Sequence, residues 1–234
     1  MSTRITTGGR LIDRSKPVEF TFNNKRLRGF EGDTLASALL ANNQMLMGRS
    51  FKYHRPRGVI ASGAEEPNAL MGIGTEGRFE PNQRATTTEL FQGLTAKSQN
   101  HWPSLEFDIG VINNMAARFL PAGFYYKTFM APRAAWKHVF EPIIRMSAGL
   151  GTAPKARDSD IYEHFHVHTD ILIIGGGIAG LTAARTAAAS GAQVLLLEQT
   201  AREVFAGARQ HPDERPGLSK GPKNKQMSLR ILRL

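Results

Sequence analysis

Between Val18 and Phe30 the apolar positions fall on every second residue. Val18, Phe20 and Phe22 alternate with Glu19 and Thr21, which is the period of a strand with one buried face. Asn23-Asn24 supplies a turn, and Lys25 to Phe30 reads as the return strand, so this stretch predicts a hairpin. After Glu31-Gly-Asp33 the period changes. Asp33 suits the N-cap of a helix from Thr34 to Ala41, with Leu35, Ala38 and Leu39 on its apolar face and Asn42-Asn43 at its end. A hairpin, a helix across it and the short apolar run Met45-Leu-Met47 give the order of a small β-grasp domain. Met71-Gly-Ile73 and Arg78-Phe79 predict another hairpin around Thr75-Glu-Gly77. Further on, Thr88 to Ser98 reads as a helix, Phe124 to Met130 is an aromatic cluster, and Trp136, Phe140 and Ile144 have the spacing of a helix face. Gly149 to Pro154 has the composition of a linker.

A different pattern begins at Asp170. Ile171 to Ile174 is a continuous apolar run, expected to be a strand buried on both faces. It breaks into Gly175-x-Gly177-x-x-Gly180 and an Ala-rich helix that Gly191 can cap. A second apolar run, Val194 to Leu197, then ends on Glu198. Strand, glycine loop, helix, strand and acid form the first unit of a dinucleotide-binding fold. Gly175 permits the turn off the strand, Gly177 leaves room for a pyrophosphate, and Gly180 lets the helix pack against the sheet, helped by the small Ala184. The free N–H groups and positive dipole end of the helix favour phosphate. Glu198 is placed to accept hydrogen bonds from a ribose 2′-hydroxyl and to repel a 2′-phosphate. The loop alone does not decide between NAD and FAD.

Composition narrows the chemistry. The 234 residues are 41% hydrophobic and 21% charged, as in ordinary globular proteins. There is no cysteine, so disulfides, thiolate zinc sites and a Cys-ligated iron–sulfur cluster are excluded. No stretch has the length of a membrane span and the N-terminus has no signal-peptide core, so a cytoplasmic protein without membrane attachment is expected. A net charge of +10 raises nucleic-acid binding as a question. From Arg202 to Leu234, however, eight Lys or Arg stand against three Asp or Glu, so half of the excess lies in the last 33 residues.

Two other clusters bear on function. Arg49 to Gly58, RSFKYHRPRG, interleaves bases with aromatics. Such a run could grip phosphates or single-stranded nucleic acid, but an isolated one is more often a solvated or partner-facing loop. No nucleic-acid partner is expected. His54 in this run has a structural or a catalytic reading. His164, His166 and His168 would share a face if they lay on a strand. A polar edge strand is the commoner outcome, and no metal site is expected.

From about Phe20 to Glu198 the chain resembles the α subunits of heterotetrameric sarcosine oxidases. The resemblance rests on Gly32 to Asn42, Arg49 to Gly58, Glu66 to Leu70, Ser98 to Leu105, Ala122 to Met130, Ala148 to Gly151 and the glycine loop. It implies an α+β β-grasp N-terminal domain of the ferredoxin-like 2Fe-2S type, followed by the start of an α/β Rossmann-type dinucleotide domain. In related amine and opine dehydrogenases the loop after the position of Gly58 carries the cluster cysteines. Val59 to Met71 has none here, so the domain is expected to be cluster-free. The resemblance further implies that Gly175, Gly177, Gly180 and Glu198 hold NAD in a non-catalytic role, with FAD the alternative occupant. The working flavins, FAD and a covalent FMN, would belong to the β subunit or its interface with α. The implied partners are β, γ and δ subunits. The implied activity is oxidative demethylation of sarcosine to glycine, with peroxide formed and the one-carbon unit passed to tetrahydrofolate. No residue of this chain is identified as catalytic, and the chain alone is expected to be inactive.

The expected organisation is an arm at 1–16, a β-grasp domain at 17–98, a connecting segment at 99–160, the first βαβ unit at 161–200 and an aperiodic basic tail at 201–234. The tail is polar and rich in Pro, Gly and Lys. It is expected to be disordered or out of frame, and the dinucleotide domain truncated, because two parallel strands cannot bury both faces of a sheet.

Overall fold

A computed structural model describes residues 2–9, 11–115, 117–119, 123, 131–147, 151–162, 164 and 166–198, and also residues 230–233. For 119, 146, 147 and 230–233 only the backbone is described. The chain divides into two compact units, Met1–Asp160 and Ile161–Leu234.

The first unit is built on β1 (Asp13–Phe22) and β2 (Lys25–Glu31), an antiparallel hairpin in which Phe22 faces Lys25 and Val18 faces Gly29. Asn23 and Asn24 take φ of +47° and +66°, the left-handed pair that matches the twist of a two-residue hairpin turn. Val18, Phe20 and Phe22 are all buried, as their alternation predicts. Helix α1 (Leu35–Ala41) lays Leu35, Ala38 and Leu39 into the same core, each 0% exposed.

The remaining strands are β5 (Leu70–Ile73), β6 (Glu80–Arg84) and β7 (Thr95–Ser98), while β3 (Gly48–Arg49) and β4 (Pro56–Arg57) form a separate two-stranded ribbon. The main sheet has the order β2-β1-β7-β5-β6, with β7 parallel to β1 and the other pairs antiparallel. A parallel central pair formed by the first and last strands, with a helix packed on the sheet, is the β-grasp arrangement. The β5–β6 hairpin turns where the sequence predicts it. The helix expected from Thr88 to Ser98 does not form. Leu90 and Leu94 enter the core from turns, and Thr95–Ser98 is a strand. Its pairing with Thr21 and Phe22 lies more than 70 residues back along the chain, and this tertiary contact overrides local helix propensity.

The hydrogen-bond accounting of this unit centres on three buried acids. Glu66 is 0% exposed. Its Oε2 accepts from the N–H of Ile60 and Ala61 at 2.8 and 2.7 Å, and its Oε1 from Asn68 and Ala69 at 2.7 and 3.2 Å. Burial acts to raise its pKa, but the four amide donors outweigh burial and hold it below the ordinary glutamate value. Asp33, also 0% exposed, forms a two-pronged pair with Arg4 at 2.6 and 3.1 Å and accepts from the Phe30 N–H and the Ser37 hydroxyl. The helix cap is therefore Thr34, in a capping box with Ser37, and not Asp33 as expected. Asp33 instead ties the segment ahead of β1 to the helix entry. Residues 1–16 are accordingly no free arm: Arg4 holds Asp33, Ser2 and Thr3 hydrogen-bond to the end of α1, and β1 begins at Asp13. Asp108 accepts from the Trp102 and Gly110 N–H groups and lies 2.6 Å from His54 Nδ1.

Residues Arg133–Ser147 are helical, with a π-type turn at Trp136–Phe140 and α2 at Glu141–Ser147. This matches the spacing of Trp136, Phe140 and Ile144. The aromatic cluster Phe124 to Met130 lies outside the described residues.

The second unit contains β8 (Ile171–Ile174), α3 (Ile178–Ala189) and β9 (Val194–Glu198), with β8 and β9 parallel and in register Ile171 to Val194. Ala184, Val194 and Leu196 form its small core. The strand expected to be buried on both faces is not: Ile174 is 80% exposed and Leu172 51%. In the order β10 (Arg230–Arg233), β9, β8 it is an edge strand, and among the described residues only α3 covers one of its faces, where Ile173 packs. The expected aperiodic tail needs one amendment. Arg230–Arg233 forms β10, antiparallel to β9, with Arg230 facing Glu198; residues 199–229 lie outside the described residues.

Replacing Glu66 by Gln would turn an NH2 group toward amide donors and is expected to destabilise the first unit by about 2–4 kcal/mol. Because the folded carboxyl titrates below its unfolded value, its contribution is complete above about pH 4.3 and is lost as pH falls through the folded value. Thermal denaturation should show this acid-limb loss in the parent chain and a smaller one in Glu66→Gln. Equal acid limbs in both proteins would show that Glu66 is not the group responsible.

Candidate functional site

The turn between β8 and α3 is assembled by local backbone chemistry. The Gly175 N–H bonds to the Leu197 carbonyl at 2.8 Å, tying the loop to β9, and Gly175 takes φ of +102°. This is the left-handed region where a side chain is strained. Gly177 is the N-cap of α3, and its carbonyl accepts the first helical bond from Leu181 at 2.9 Å. A Cβ at Gly180 would stand 1.9 Å from the Gly175 carbonyl oxygen, so the closeness of helix and loop depends on its absence. At Gly177 the same added atom would meet nothing within 4 Å. The loop therefore presents an open face at the helix N-terminus, where main-chain N–H groups and the dipole favour an anion.

Glu198 ends β9 beside this loop. It is 4% exposed, and its Oε2 accepts from the Gly176 N–H at 2.5 Å. The four residues singled out by the sequence, Gly175, Gly177, Gly180 and Glu198, are thus gathered at one end of the two parallel strands. Ala184 packs as expected, fully buried. A dinucleotide fits this set: the glycine face is open to phosphates, and the carboxylate carries acceptor lone pairs for a ribose diol.

The other sequence candidates fall elsewhere. His54 is paired with Asp108 in the first unit and nearly buried, and Gly110 packs so closely that a Cβ there would lie 2.2 Å from His54 Nδ1. Burial opposes ionisation of Asp108, but the Trp102 N–H, His54 and the Gly110 N–H together lower its pKa. This is a structural role for His54. His101 is pushed below its ordinary value, chiefly by burial, against the pull of Asp108. His164, His166 and His168 are exposed and lie on no strand, and among the described residues no cluster of three or more His, Cys, Asp or Glu is placed to hold a metal. No helix among the described residues is long and apolar enough to cross a membrane.

The residues that sequence reasoning missed are Glu66 and Asp108. Their partners are mostly main-chain N–H groups, which leave no trace in a sequence. Glu66 sits in the loop between β4 and β5, where an iron–sulfur cluster would need thiolates. The chain has no cysteine, and this loop's amides are already taken by a carboxylate. The residues present do not fit a cluster.

Taken together, the chain joins a cluster-free domain of the 2Fe-2S ferredoxin type to the opening of a flavoprotein-type dinucleotide fold. Residues 15–101 match the family described as "2Fe-2S iron-sulfur cluster binding domain", and residues 170–211 match "FAD dependent oxidoreductase". Over most of its length the chain is homologous to sarcosine oxidase alpha subunits. It is 57% identical over 189 residues to "Sarcosine oxidase subunit alpha" of Rhizobium meliloti, covering 81% of this chain and 19% of that protein. Two Corynebacterium proteins of the same name are 33% and 35% identical over 196 and 190 residues, covering 82% and 81% of this chain and 15% of each relative. The chain therefore spans less than a fifth of the length of these relatives. A solved structure of L-proline dehydrogenase from P. horikoshii is 21% identical, the match covering 79% of this chain and 25% of that one, with a TM-score of 0.36.

Gly180→Ala should force α3 away from the loop and destabilise the second unit by about 1–3 kcal/mol. Gly177→Ala, where the added Cβ meets nothing within 4 Å, should lose some N-cap preference but regain backbone entropy, for a net cost of no more than about 1 kcal/mol. Hydrogen exchange of the α3 amides distinguishes the two substitutions; similar protection in both would contradict the packing role of Gly180.

Proposed function

We propose that this chain corresponds to the N-terminal part of the α subunit of a sarcosine-oxidising complex. In that role the first unit, at 17–98 with its connecting segment 99–160, is a scaffold. Residues 161–200 supply the phosphate loop and ribose acid of a dinucleotide site at Gly175, Gly177, Gly180 and Glu198. The observation that carries the reading is the 57% identity over 189 residues, a longer stretch than the first unit alone. The complex would act in the cytoplasm with β, γ and δ partner subunits. Its overall reaction would convert sarcosine, dioxygen and tetrahydrofolate to glycine, peroxide and the methylene form of the folate. No group of this chain is assigned a step in that chemistry. Its residues bind and orient.

NAD in a non-catalytic role is the occupant implied by the family resemblance. FAD is the second reading, favoured by the family matched at residues 170–211. Glu198 suits the adenosine ribose of either. The full-length α subunit, isolated from its partners and denatured, distinguishes them: released nicotinamide dinucleotide without flavin absorbance supports NAD, and released FAD overturns it. In the same protein Gly177→Val should reduce dinucleotide affinity by at least about 100-fold, because its side chain fills the open phosphate face. Unchanged affinity in equilibrium dialysis would mean that the loop is not the site.

A further inference from the structure

The ribbon β3–β4 and the segment after β7 border an open cavity, about 380 Å3 in volume, within the first unit. Arg49, Lys52, Arg55 and Arg57 line it, and among the described residues none of the lining is acidic. Four other arginines of this unit pair with carboxylates: Arg4 with Asp33, Arg28 with Glu19, Arg78 with Asp160 and Arg145 with Glu141. Among the described residues Arg49, Arg55 and Arg57 have no ion pair. Arg49 instead donates to the carbonyls of Leu105, Glu106 and His54, which fixes its position without cancelling its charge. Tyr53 lies between two of the cations, with Lys52 Nζ 4.9 Å and the Arg55 guanidinium carbon 4.8 Å from its ring centre. This stacking holds both side chains at the cavity.

We propose that this cavity binds a phosphate-bearing small molecule. Four like charges converging on one concavity call for a compact polyanion rich in acceptors. Arginine forks match phosphate oxygens in pairs. The volume is that of a small-molecule cleft, and the exposed Phe51 ring in the lining offers a surface for a planar group. The site is distinct from the Gly175–Gly180 loop and stands whether or not that loop binds a dinucleotide.

The test is calorimetric titration of the full chain with inorganic pyrophosphate. Binding should weaken steeply with added salt, weaken by at least about tenfold in an Arg55→Gln/Arg57→Gln double variant, and persist in Gly177→Val. Arg55 and Arg57 are exposed, so the double variant should unfold at the parent temperature. Pyrophosphate protection of these two arginines from phenylglyoxal, read by mass spectrometry on the unsubstituted chain, gives a check that needs no variant. Absence of binding at low salt would overturn the proposal. So would loss of binding in Gly177→Val with retention in the double variant, which would place pyrophosphate at the glycine loop. Tighter binding of a polyglutamate peptide than of pyrophosphate would overturn it in favour of a protein-docking surface.

Discussion

Four main-chain N–H groups converging on the Glu66 carboxylate fix the geometry of the first unit. Two of the donors precede Glu66 and two follow it, so a single side chain closes the loop between β4 and β5 from both directions. The loop has no sheet ladder of its own, and buried amides without acceptors would be expensive. Once closed, it delivers Ala69 and Met71, both fully buried, to the core and sets Met71 opposite Ser98 on β7. A domain matching a cluster-binding family can therefore keep its shape without the cluster. The cross-link that thiolates and iron would supply is replaced here by charge-assisted hydrogen bonds.

Asp33 and Asp108 repeat the device at two other irregular places. Asp33 stands where β2 gives way to α1 and joins Arg4, the Phe30 N–H and Ser37. Asp108 gathers two amides and His54, linking the segment after β7 to the β3–β4 ribbon. Each acid is satisfied by several donors, the condition under which buried charge is tolerable. The apolar core determines that the hairpin and helix pack. These acids determine how the loops between them run, and burial alone would not specify that.

The parts of the fold legible in the sequence are those with local causes. The alternation at Val18, Phe20 and Phe22 and the two asparagines after it identified the first hairpin, because both strands and their turn lie within nineteen residues. The glycine loop was legible for the same reason: strand, loop, helix and acid follow in order, and each glycine has its own backbone or packing requirement. Thr88 to Ser98 misled because β7 exists only by pairing with β1, and pairing across such a distance leaves no periodicity behind. Glu66 and Asp108 were illegible because an acid looks the same in sequence whether it faces water or collects main-chain donors. The exposure of β8 follows from its edge position, which an apolar run does not disclose.

The position of Glu198 bears on what the glycine loop can bind. Its carboxylate holds the Gly176 N–H at 2.5 Å, inside the loop that a pyrophosphate would approach. An acid this close would oppose a phosphate placed directly on Gly176, since unit charges at hydrogen-bond distance repel strongly in a partly buried site. The favourable place for phosphate is therefore the other side of the loop, over Gly177 and the start of α3, where no side chain intervenes and the helix N-terminus is positive. A ribose hydroxyl beside Glu198 would donate to a carboxylate already oriented by the backbone, so little side-chain freedom would remain to be lost on binding. On the proposed reading, one acid would separate the two ends of a nucleotide, drawing the diol and directing the phosphates away. The same repulsion opposes a 2′-phosphate, whichever dinucleotide the site accepts.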